Sequence, residues 1–69
     1  MTDVVDADEL LRRIRVARDW AAEQETEFGE RANSGSGGEA TAASISHVAF
    51  AAVREALDEI ISPGKHHAD

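Results

Sequence analysis

Apolar positions in the first half of the chain recur at spacings of three and four. Ala7, Leu10, Ile14, Ala17, Ala21, Gln24 and Phe28 mark one line, with Gln24 its one polar member. That spacing is the period of an amphipathic helix and also of a heptad seam. Leu11 and Ala22 widen the line on one side, and Trp20 stands on its other edge. The start is well signalled. Asp6 can cap the helix, Glu9 follows at capping-box spacing, and Val5 and Leu10 occupy the two staple positions. Asp8 and Glu9 suit the positive end of the helix dipole. Gly29 ends the helix early or is passed through. The pattern predicts a helix over about residues 6–32, a rod of roughly 33–39 Å at 1.5 Å per residue.

Asn33, Ser34, Gly35, Ser36, Gly37 and Gly38 form the one low-complexity stretch. This composition reads as a connector, and a loop is predicted over 33–39. A second helix follows, over about residues 40–62. Thr41 or Ser44 could cap it. Ser36 with Glu39 also has capping-box spacing, but two glycines would then fill the first turn. The stop is firmer, because Pro63 disfavours helix at Ser62 and Gly64 follows. Two helices of similar length joined by a short loop predict an antiparallel hairpin, with a tail over 63–69.

The second helix carries more apolar surface than one neighbour can cover. At 100° per residue, Ile45, Ala49, Ala52, Val53, Ala56 and Ile60 form one stripe. Phe50, Leu57 and Ile61 form a second beside it, and Val48 flanks the first. Together they span roughly 220°, well beyond the ~100° of a single packing face. His47, Arg54, Glu55 and Asp58 mark the polar side. We expect the first helix to take the first stripe and to leave Phe50, Leu57 and Ile61 largely in water. A face of that size on a short chain marks an interface. The expected architecture is therefore an all-α, two-helix antiparallel hairpin that dimerises into a four-helix bundle, with the second helix central. The expected dimer interface is Ile45, Ala49, Phe50, Ala52, Val53, Leu57, Ile60 and Ile61.

Size sharpens this expectation. A chain of 69 residues is one small domain, and such a chain buries only about 60% of its unfolded surface. Chains this short usually need a disulfide, a metal or a partner. There is no cysteine, which leaves self-association, a protein partner or a carboxylate/histidine metal site. Hydrophobic residues make up 42% of the chain, compatible with folding rather than disorder.

Charge removes some functions. The formal net charge of −7 argues against binding a phosphate backbone, so no direct nucleic-acid binding is expected. No segment approaches the roughly 20 apolar residues that cross a bilayer. The acidic opening residues do not read as a signal peptide, and a cytoplasmic protein is expected. Within this acidic chain, Arg12, Arg13, Arg15 and Arg18 form a basic belt. Asp8 with Arg12, Glu9 with Arg13 and Glu27 with Arg31 have the favourable i,i+4 order. Arg18 has no clear acid on its own helix and lies beside the apolar line. Arginine and tryptophan are frequent binding anchors, so Arg15, Arg18 and Trp20 are the candidate partner contacts.

Reactive chemistry is sparse. The glycines at 35, 37 and 38 lack the lysine and the strand context of a phosphate loop. Ser46 and His47 are neighbours in sequence and point about 100° apart on a helix, so they do not face each other. A di-iron bundle needs a Glu-x-x-His pair, and the residue three before His47 is Ser44. His66 and His67 lie in the tail. No catalytic residue, cofactor or metal site is assigned. The expected function is that of a small acidic, non-enzymatic adaptor or inhibitor that modulates a partner protein through a helical face. In size and composition the chain is similar to accessory proteins of phages and mobile elements. Two alternatives follow from the same residues. The acidic clusters Asp3-Asp6-Asp8-Glu9 and Glu23-Glu25-Glu27-Glu30 could mimic a nucleic acid and block a DNA- or RNA-binding protein. A carboxylate/histidine bundle could bind a metal.

Overall fold

The computed structural model describes residues 6–64. Val5, Asp3, His66 and His67, singled out above, lie outside these residues. Two helices account for nearly all of the described chain, α1 over Ala7–Ser34 and α2 over Gly37–Ile61.

The start of α1 follows the sequence signal in one half and departs from it in the other. Asp6 is the N-cap, in an extended conformation, and its Oδ1 accepts from the Glu9 N–H at 2.8 Å. The Glu9 carboxylate does not close the reciprocal half of a capping box on the cap. It accepts from Arg12 and Arg13 at 2.7–2.9 Å, and the adjacent guanidinium groups hold its pKa down at about 2. Arg12 therefore serves Glu9 rather than Asp8, while Arg13–Glu9 and Arg31–Glu27 form at the i,i+4 spacing.

α1 passes through Gly29 without a break and runs to Ser34, and α2 begins at Gly37. The connection is thus only Gly35 and Ser36, shorter than the loop over 33–39 that composition suggests. Ser36 is the N-cap of α2, without a side-chain cap bond. Thr41 and Ser44 lie inside the helix, and Thr41 Oγ1 donates to the Gly37 carbonyl instead of capping. Gly37 makes the early start possible, because its φ of 63° is a left-handed conformation that other residues adopt at a cost. The other end stops where Pro63 dictates. The Ser62 N–H donates to Asp58 O at 2.8 Å, and no helix continues.

Cross-helix contacts set the register. Gly29 meets His47, Glu25 meets Arg54, and Arg18 meets Asp58. The α2 number rises as the α1 number falls, so the helices are antiparallel. Ala21 and Ala43 are buried, and no large side chain is fully buried among the described residues. Small residues at the line of closest approach let the two backbones come near each other. Larger side chains, Ile14 and Phe28 from α1 with Phe50, Leu57 and Ile61 from α2, are half-buried around that line.

This arrangement reverses one expectation. Phe50, Leu57 and Ile61 face α1 and are half-buried, not left in water. The first stripe of α2 is the exposed one: Ile45, Ala49, Ala52, Val53, Ala56 and Ile60 all lie on the surface. The physical reason is electrostatic. His47, Arg54 and Asp58, assigned to the polar side, also turn toward α1, where partners await them. No helix among the described residues is long and apolar enough to cross a membrane.

Candidate functional site

Taking Ala21 and Ala43 as the inward positions, 100° per residue gives the hairpin two broad sides. One side is polar and carries the cross-helix charge network. Arg18 Nε donates to Asp58 Oδ1 at 2.8 Å, and Arg54 Nη1 donates to Asp58 Oδ2 at 2.9 Å. Arg54 reaches back across the interface to both oxygens of Glu25, a forked arrangement. Arg18 also donates to Asp19 at 3.2 Å. Acid and base thus alternate in the order Asp19, Arg18, Asp58, Arg54, Glu25. The Asp58 and Glu25 side chains are only 16% and 21% exposed.

The network shifts its members as opposite charges should. The hydrogen bond from Arg18, followed by that from Arg54, lowers the pKa of Asp58. Arg54 lowers that of Glu25, and both arginines are raised in turn. His47 closes the far end. A backbone carbonyl can only accept, so His47 Nδ1–H donates to Glu25 O, at 2.7 Å. Its ring lies over Gly29, where an added Cβ would sit 3.0 Å from Nδ1.

The other broad side is apolar and aromatic. Trp20 meets Phe50 edge-on, with centroids 5.3 Å apart and planes at 82°. Phe28 stacks on Phe50 at 5.7 Å, and the Arg31 guanidinium lies 5.2 Å over Phe28. Trp20 remains 52% exposed. Around the outer edge of this side the surface runs onto the α2 stripe. There Ile45 is 67%, Ile60 56% and Val53 43% exposed. Ala42, Ala49, Ala52 and Ala56 fill the spaces between them, and no charged residue interrupts the stripe.

The candidate contact residues therefore separate. Arg15 and Arg18 stand together, lining a shallow cleft with Asp19, Asp58, Ile61 and Ser62. Trp20 is about 140° from Arg15 around α1 and belongs to the apolar side. Arg18 finds its acid on α2 within the same chain, so its position beside the apolar line is explained by the fold. Of the eight residues expected at a dimer interface, Ile45, Ala49, Ala52, Val53 and Ile60 lie on the outer stripe. Phe50, Leu57 and Ile61 face α1.

Sequence reasoning missed the joint role of Glu25, His47, Arg54 and Asp58. Two signals pointed to it: an i,i+4 Arg54–Asp58 pair, and an Arg18 with no acid on its own helix. The turn of Glu25 toward Arg54 also takes it out of the acidic cluster on α1. No group of three His, Cys, Asp or Glu able to hold a metal occurs among the described residues. Comparison with protein-family models, curated proteins and solved structures finds no match.

Proposed function

We propose that this protein is a non-enzymatic, cytoplasmic interaction module that self-associates into a four-helix bundle and modulates a partner protein as an adaptor or inhibitor. One observation carries the reading: a continuous apolar stripe on α2, with Ile45, Val53 and Ile60 exposed, on a hairpin in which only Ala21 and Ala43 are buried among the described residues. Burial of a large aliphatic side chain contributes about 1.5–3 kcal/mol. Covering the stripe supplies what so thin an interior lacks. The dimer seam in this reading is the outer stripe, and Phe50, Leu57 and Ile61 support it from inside each hairpin.

With α2 central, α1 is the helix presented to a partner protein. Arg15 and the exposed edge of Trp20 are the contact residues on its two flanks. Arg18 keeps the cleft beside Arg15 in shape through Asp58. Sedimentation equilibrium at micromolar concentration tests the association. A mass near twice 7.4 kDa is expected, and Ile45→Asp with Ile60→Asp should return the chain to monomer. A wild-type chain that stays monomeric across that range refutes the proposal. Arg15→Glu should leave the mass unchanged while removing the partner captured by the wild type.

A further inference from the structure

Six residues of the exposed α2 stripe stand in pairs about one midpoint, and the two outer pairs match in kind. From the point midway between Ala52 and Val53, the residues outward are Ala52 and Val53, then Ala49 and Ala56, then Ile45 and Ile60. Three alanines and Val53 occupy the centre and one isoleucine closes each end. A two-fold interface requires that where residue i meets residue j, j meets i. A stripe this close to symmetric about its midpoint satisfies it when the two helices run antiparallel, with Ala52 of each copy set against the partner's Val53. We infer that the occupant of this face is a second copy of the chain, packed α2 against α2 antiparallel, with the two-fold axis between Ala52 and Val53. This rests on the self-association proposed above and fixes its direction and register.

In this register, Ile45 of each copy packs level with the partner's Ile60, and Ala49 with the partner's Ala56. The central alanines let the helices cross closely, and the isoleucines fill the space as they diverge. The antiparallel direction also sets opposite ends of the two helix dipoles side by side.

The absence of cysteine makes the test direct. A disulfide forms only when the two Cα atoms are within about 7 Å. Three preparations of the full-length chain are oxidised: Ala52→Cys alone, Ile45→Cys alone, and an equimolar mixture of Ile45→Cys and Ile60→Cys chains. The inferred register predicts a covalent dimer for Ala52→Cys and a mixed dimer for the third preparation. It predicts none for Ile45→Cys alone, whose two copies stand 15 positions out of level, about 22 Å. Efficient cross-linking of Ile45→Cys to itself would establish a parallel pair, overturning the register and leaving self-association standing. Cross-linking in none of the three, with a dimeric wild-type mass, would place the seam elsewhere. A monomeric wild-type mass would overturn both readings together.

Discussion

The carboxylates of Asp58 and Glu25 each face a guanidinium from the opposite helix, and their pKa values are lowered in the folded chain. A lowered carboxylate binds its proton less readily when folded than when unfolded. Its contribution is therefore complete above the unfolded carboxylate range, near pH 4, and is lost as pH falls through the lowered folded value. The melting temperature should hold steady above about pH 5 and fall below about pH 4. Asp58→Asn should flatten that acid slope, while Asp8→Asn, outside the network, should not. An unchanged slope in Asp58→Asn would remove the network from the stability of the hairpin. His47 supports a second expectation. Its ring is fixed by the Glu25 carbonyl on one atom and lies against Gly29. Gly29→Ala would ordinarily favour a helix interior by up to about 1 kcal/mol. Here the new methyl meets a ring that cannot retreat, and the change should destabilise by about 1 kcal/mol. With His47→Ala in place the same change should stabilise, so a double-mutant cycle read by thermal melting should show a reversal of sign.

Along each helix, legibility depended on whether the deciding force was local. The Asp6 cap, the three-and-four spacing of α1 and the stop before Pro63 are local, and the sequence states them. The early start of α2 is not stated, because it relies on Gly37 taking a positive φ at the turn. The facing of α2 was reversed for a different reason. A helical wheel says which residues share a side but not which side the neighbour covers. Here an arc of apolar residues too wide for one partner gave two choices, and the ion pairs Arg54–Glu25 and Arg18–Asp58 decided between them. Charged residues half-buried between helices are invisible to a rule that sets charge outside. The turn itself can be checked by adjacent substitutions of opposite sign. Gly37→Ala should destabilise by about 1–2 kcal/mol, the cost of a left-handed residue. Gly38 has helical geometry, with nothing within 4 Å of an added Cβ. Gly38→Ala should therefore stabilise by about 0.5–1 kcal/mol. Equal effects at the two positions would mean that the connection is looser than Gly35 and Ser36 alone.

Considered as a whole, the hairpin divides its labour between its sides. The charge network on one broad side fixes the register of α1 against α2, and the aromatic group of Trp20, Phe50 and Phe28 stiffens the other. Neither supplies a deep interior, since the buried positions among the described residues are two alanines. Conformational entropy opposes ordering by about 1–2 kcal/mol per residue for the backbone alone. An interior this thin leaves the isolated hairpin marginal, so its stability should be tied to the second copy. When folding and association are one event, stability rises with protein concentration by mass action. The melting temperature of the wild type should therefore climb by several degrees for each tenfold rise in concentration through the micromolar range. Ile45→Asp with Ile60→Asp should melt lower and at a temperature independent of concentration. Phe50→Ala, which empties the space between Trp20 and Phe28 inside one hairpin, should also melt lower but keep the concentration dependence. That contrast separates the seam between copies from the packing within each. If the wild-type melting temperature is flat across a hundredfold range, α1 and α2 hold each other without help, and the outer stripe is free for a different protein.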